Sequence, residues 1–262
     1  MSKTTTRIVT ALILAALAFS SCSREKTLVS GRFEASDGFL LPYQMSVPAK
    51  SLFKKSRPLL IFLHGAGERG SDNSAQLTHG RELMLNSPEL QDVIVLAPQC
   101  PAESYWVDIV RPTTPEECMW RTFPENAEMT YPLAAVKEMV DSLVASGSVD
   151  TRRIYCTGLS MGGMGTLDLL VRFPDLFAAV QPICGAVNIH RLGGYEGTAA
   201  VRLFHGDCDE TVPVHFSREA YEVLKDKGMN VEYIEYPGVY HNSWDNAFAE
   251  PDFLSWMTEK SR

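Results

Sequence analysis

Along most of this chain apolar and polar residues change in blocks. PLLIFLH at 58–64, VIVLAP at 93–98, RIYCTG at 153–158, AAVQPICG at 178–185 and AAVRLFHG at 199–206 are short, nearly continuous apolar runs, the pattern of strands covered on both faces. VEYIEY at 231–236 alternates instead, which predicts a strand nearer an edge. Helical spacing falls between these runs, at 132–146, 161–172, 217–227 and 251–260. Strand followed by helix, repeated, predicts right-handed crossovers and an α/β fold with a mostly parallel central sheet flanked by helices on both faces. LVSGRFEAS and FLLPYQMSV predict an antiparallel hairpin leading in. The least regular section, 99–130, suits a loop over a strand end, where parallel sheets gather their chemistry.

The first residues follow a different rule. Lys3 and Arg7 precede the apolar run IVTALILAALAF, which ends at Ser20, Ser21 and Cys22. A charged start, a short apolar middle and small residues at a cut are the layout of an export signal. The run resembles a bacterial lipoprotein signal, which implies lipid attachment at Cys22 as the mature first residue and a periplasmic or cell-surface protein anchored to a membrane; ordinary secretion is the alternative. The predicted organisation is a signal over 1–21, a short tether over 22–30 and one catalytic domain over 31–262.

The 262 residues, 45% hydrophobic and 21% charged, are enough for a single-domain core. The full chain carries a formal charge of −8, and the 1–21 segment holds only basic charges, so the remainder is more acidic still. That sign argues against a nucleic-acid partner. Of six cysteines, five lie beyond Cys22, and no pair has C-x-x-C spacing. Cys100 and Cys118 could bridge their loop in an oxidising compartment, or stay as thiols. No His or Cys pair has metal-ligand spacing, so no metal or cofactor is implied.

The chemistry concentrates in CTGLSMGGMG at 156–165. Gly158-Leu159-Ser160-Met161-Gly162 has the form of a nucleophile elbow, in which small neighbours let a strained turn lift a serine above the sheet. A dinucleotide loop of the T-G-x-x-x-G-x-G kind is the rival, but Met164 stands where its last glycine belongs and strands precede it. Tyr221 and Lys225, which imitate a Y-x-x-x-K pair, are simply neighbours on one helix face. A plain helix start capped by Ser160 would need no partners downstream.

Partners are present. HGDCDETVPV from His205 is loop-like and acidic, and His241 lies in PGVYHNSWD after the last strand. His205 and His215 read as structural, leaving His241 as the base, with Asp207, Asp209 or Glu210 as the acid. IFLHGAGERGSDN, GLSMGG, HGDCDETVP and YPGVYHNSWD together resemble the phospholipase/carboxylesterase-like and feruloyl-esterase-like α/β-hydrolases, the "predicted peptidase/esterase" branch, from about residue 31 to the end. That resemblance implies an α/β-hydrolase fold and a serine esterase without cofactor. Its triad would be Ser160, His241 and Asp209, with Asp207 as the fallback acid. The oxyanion donors would be the backbone N–H groups of Ala66 and Met161, with Gly67 second to Ala66. Glu68 and Arg69 are expected to brace that loop. Trp106, Trp120 and Trp244 are candidates for a substrate pocket wall, with core packing as the competing reading. The expected substrate is a small-molecule or carbohydrate-linked ester. A serine peptidase is the alternative activity, and a non-catalytic binding protein on the same fold is the alternative class. Oligomeric state is not readable from these features.

Overall fold

The computed structural model describes residues 26–48, 56–109 and 123–262. The export signal, Cys22, Cys118 and Trp120 lie outside the described residues. Among the described residues eight strands form one sheet: β1 (Thr27–Glu34), β2 (Leu40–Val47), β3 (Arg57–Leu63), β4 (Ile94–Pro98), β5 (Val149–Leu159), β6 (Ala179–Ile183), β7 (Ala200–Gly206) and β8 (Val231–Tyr236). Their order is β1-β2-β4-β3-β5-β6-β7-β8. β1, β2 and β4 pair antiparallel in turn, and every other pair is parallel. The fold is that of an α/β-hydrolase.

The leading hairpin turns at Gly38, whose φ of +88 suits glycine, and Asp37 accepts the Phe39 N–H at 2.8 Å as an Asx turn does. β1 begins at Thr27, so the end of the stretch expected as a tether is strand, paired to β2 from Thr27↔Val47 onward. β5 runs eleven residues, longer than its apolar stretch, because Val149 also pairs, with Arg57, ahead of a register shift that leads into Ile154 opposite Leu59. β8 lies at an edge and is half-buried throughout, in keeping with its alternation.

The helices are α1 (Arg81–Asn86), α2 (Tyr131–Ala145), α3 (Met161–Arg172), α4 (Ile189–Gly193), α5 (His215–Asp226), α6 (Trp244–Ala249) and α7 (Phe253–Thr258). Leu59, Ile61, Ile154, Cys156, Val180 and Leu203 face α2, α3 and α5 in one buried cluster. The alternate residues Leu60, Phe62, Tyr155, Ala179 and Phe204 face α1, α6 and α7 in another. This double cover is why the central strands read as unbroken apolar runs. Each of β3, β5, β7 and β8 then delivers one loop to the same end of the sheet, and those loops carry the site.

Candidate active site

The turn after β5 holds Ser160 at φ 54 and ψ −117, a conformation non-glycine residues seldom adopt. Its N–H donates to Ile183 O at 2.9 Å, and its carbonyl accepts the Met164 N–H at 3.0 Å. The glycines around it are demanded by crowding. A Cβ on Gly162 would run into the carbonyl of Leu63, and one on Gly163 would lie 2.5 Å from Ile183 O. Helix α3 can therefore start against β3 and β6 only with glycine at those positions.

His241 Nε2 lies 2.9 Å from Ser160 Oγ, and its Nδ1 lies 2.7 Å from Asp209 Oδ2. A carboxylate can only accept, so Nδ1 carries the proton, and Nε2 is left to accept from the serine hydroxyl. The loops of β7 and β8 are fastened to each other to set this distance. Cys208 N donates to Val239 O at 3.0 Å, and Gly206 packs so close to Val239 and Tyr240 that a side chain there would clash. Asp207 does other work, accepting the Gly238 N–H at 2.6 Å.

Asp209 is fully buried at its side chain. Its Oδ1 accepts the N–H groups of Thr211 at 2.9 Å and Val212 at 2.8 Å. Burial pushes its pKa up, but the hydrogen bonds from His205, His241 and the Val212 N–H outweigh burial and hold it well below the carboxylate range. His205 is buried with both nitrogens engaged. Nε2 lies 2.8 Å from Val212 O and must donate there, while Nδ1 accepts from Ser217 Oγ at 2.7 Å. That Nε2 is also 3.3 Å from Asp209 Oδ2. His215 is the first residue of α5, with its ring 4.3 Å from that of Phe216.

Ala66 opens a 3-10 turn, Ala66–Glu68, directly after β3, and Met161 opens α3. The leading N–H of a helix has no acceptor within it. Gly65 lets the loop after β3 approach the end of β5, since a Cβ there would meet Leu159 Cδ1 at 2.8 Å. Arg69 braces the loop, though through carbonyls instead of Glu68. It donates to Ala66 O at 2.8 Å, Ala102 O at 3.0 Å and Ser104 O at 3.1 Å, and lies 4.1 Å over the Tyr105 ring.

Two of the expected pocket walls can be placed. Trp106 is completely buried, donates Nε1–H to His64 O at 3.1 Å and packs against Gly165. It is a staple between the β3 loop and α3, and the expectation that it faces substrate is corrected. Trp244 is half-buried and stands edge-on to His241, ring centres 5.4 Å apart at 87°.

The sequence reading missed His64 and Cys184. His64 Nε2 accepts the Cys100 N–H at 2.9 Å, so its Nδ1 donates to Gly65 O at 2.6 Å, and burial lowers its pKa to about 4. It ties the loop after β3 to the loop after β4 as a neutral ring. Its place at the strand end, next to Gly65, was the available signal. Cys184, at φ 39, donates Sγ–H to His241 O at 3.6 Å. Its thiol, the Asp209 carboxylate and a His241 ring nitrogen lie within 4.8 Å of one another. They could in principle ligate a metal, but Asp209 and His241 already hold each other, and burial pushes the Cys184 thiol up to about 12. The arrangement therefore serves proton transfer better than ligation.

A sequence profile of one family, described as phospholipase/carboxylesterase, matches residues 49–254. The chain belongs to the phospholipase/carboxylesterase family. Proteins with similar sequences include an acyl-protein thioesterase 1 of Neurospora crassa, 24% identical over 75% of this chain and 85% of its own. A carboxylesterase of Arabidopsis thaliana is 23% identical over 71% and 84%. Among solved structures, a thermostable esterase is 34% identical with a TM-score of 0.78; the match covers 90% of this chain and 63% of that one. A ferulic acid esterase of Anaeromyces mucronatus, 15% identical, aligns over 94% of each chain with a TM-score of 0.64, a likeness of fold. The family is one of ester hydrolases.

Proposed function

We propose that this chain hydrolyses carboxylic esters through an acyl-enzyme on Ser160, with His241 as general base and acid and Asp209 holding His241. One observation carries the reading: the line of hydrogen bonds from Asp209 Oδ2 through His241 to Ser160 Oγ, at 2.7 and 2.9 Å, with the imidazole in the tautomer a base needs. His241 takes the serine proton as Oγ attacks the ester carbon. It then gives that proton to the departing alkoxide, leaving an acyl-serine that water cleaves by the same steps reversed. Asp209 stays ionised and stabilises the imidazolium. The N–H groups of Ala66 and Met161 would receive the oxyanion, helped by the positive end of α3.

Hydrolysis of p-nitrophenyl acetate by the purified protein, beside Ser160→Ala, tests the reading. Equal rates for the two would overturn it. A dipeptidyl anilide in the same panel separates esterase from peptidase. Export with a lipid on Cys22 belongs to the same proposal and rests on the N-terminal sequence. Unchanged detergent partitioning of Cys22→Ala would remove the anchor.

A further inference from the structure

Two groups of side chains adjoin the Ser160 turn. Met164, one turn along α3, joins Val107, Ala186 and Val212 in a buried apolar cluster, with the half-buried rings of Phe123 and Phe216 packed against it. In the other group the contacts run through polar side chains. From His241 they pass to Trp244, whose ring lies 5.1 Å from that of His79. His79 Nε2 lies 3.5 Å from Glu68 Oε1, and Glu68 Oε2 would sit 3.0 Å from a Cβ on Gly65, back beside the elbow. Neither polar side chain is sealed off, at 12% exposure for Glu68 and 36% for His79, and Gly67 borders open space. Among the described residues Glu68 Oε2 has no hydrogen-bond donor.

Building on the ester-hydrolase reading, we infer that Glu68, His79 and Trp244 form the subsite for the leaving alcohol and select a polyhydroxylated one. The proton from His241 must reach the leaving oxygen, so the alcohol starts at His241 Nε2, and Trp244 is the ring against His241. Trp244 offers an apolar surface to C–H groups. Glu68 can only accept, and His79 can donate or accept, a set that hydroxyl groups satisfy. An alkyl alcohol would cover the Glu68 carboxylate without pairing it, and sites built to hydrogen-bond a hydroxyl reject the analogue lacking it.

The test fixes the acyl group and varies the alcohol, comparing kcat/KM for methyl 6-O-acetyl-glucoside, butyl acetate and acetylcholine. Wild type should favour the sugar acetate over butyl acetate by at least about tenfold, and Glu68→Gln should cut that ratio roughly tenfold. His79→Gln, further from the oxyanion loop, should lower the same ratio by about threefold, as loss of one hydrogen bond does. Using ratios within each variant removes any general loss of folding or turnover. A ratio unmoved by both substitutions, or a wild type that prefers butyl acetate, overturns the subsite and leaves the esterase standing. Preference for acetylcholine, lost in Glu68→Gln, overturns the polyhydroxylated choice. If Glu68→Gln alters selection among acyl groups on one alcohol instead, Glu68 faces the acyl group and the alcohol subsite is overturned. Cleavage of none of these esters above the Ser160→Ala background would overturn both the subsite and the esterase reading.

Discussion

The loops after β3 and after β8 each carry a histidine to the same end of the sheet, and they put it to opposite uses. In the β3 loop, His64 is almost fully buried, with one nitrogen donating to Gly65 O and the other accepting from Cys100 N. In the β8 loop, His241 gives one nitrogen to Asp209, points the other at Ser160 Oγ, and keeps a quarter of its side chain open. Both rings are hydrogen-bonded at each nitrogen and placed by strand ends. What separates a brace from a base is the group on the second nitrogen: a backbone amide that never releases its proton, against a hydroxyl that can.

Breaking the open side should therefore erase chemistry and spare the fold. His241→Ala and Ser160→Ala are each expected to lower turnover of p-nitrophenyl acetate by about 10⁴ to 10⁶-fold. Melting temperature, read on the same samples, should move by only a few degrees. A variant that kept a tenth of the activity would mean the hydrogen-bonded line is not the reacting one.

The acid sharpens the comparison next. Asp209→Asn keeps the shape but lets His241 adopt the wrong tautomer, so turnover should fall on the order of 10⁴-fold. Asp207→Asn loses a charge on the Gly238 N–H and should cost less than about tenfold in turnover. If the two effects were exchanged, Asp207 and not Asp209 would be the carboxylate that acts on His241.

Much of this was legible beforehand because it rests on covalent neighbours and periodicity. Gly158 to Gly162 announce an elbow through crowding that any close-packed strand-to-helix turn must solve. Asp209 and His241 stand in loops whose strands were visible as apolar blocks. What stayed hidden depends on contacts between distant segments. The completely buried Trp106 and the half-buried Trp244 look alike in sequence; only packing against Gly165 and His64 distinguishes the staple from the ring beside the base. The same holds for Arg69. Its obvious partner was Glu68, one residue away, yet its guanidinium reaches carbonyls at 66, 102 and 104, because a planar fork with several donors serves a loop's orphan carbonyls.

The closed side should show in stability and its pH dependence. Burial holds His64 at about 4 when folded, against 6.5 for an exposed imidazole. The stability carried by the neutral ring is thus full above pH 6.5 and is lost as pH falls towards 4, where the unfolded chain is protonated and the folded one is not. The loss over that window is on the order of 3 kcal/mol. Glu235, held at about 2 by Arg218, and Asp209, held lower, act mainly below it. Urea unfolding at pH 7 and pH 4.5 should show most of this fall in wild type, while His64→Gln, less stable at pH 7, should lose under about 1 kcal/mol more between the two. Parallel pH profiles for the two proteins would remove His64 from the account.

The smallest effect tests whether the braced loop matters to the chemistry at all. Arg69 fixes the carbonyl of Ala66, and the N–H of that same residue is the proposed oxyanion donor, so a looser Arg69 lets the donor drift without removing it. Arg69→Lys keeps the charge and loses the fork, and Arg69→Gln loses both. Each should lower kcat by about tenfold, as slight misplacement of a preorganised donor does. KM should change by less than about twofold, because the oxyanion forms only after binding. The Lys and Gln variants should differ little from each other, since position and not charge is at issue. A fall confined to KM, or full activity in Lys with loss in Gln, would show that Arg69 meets the substrate as a cation and that the β3 loop is less closed than its hydrogen bonds make it.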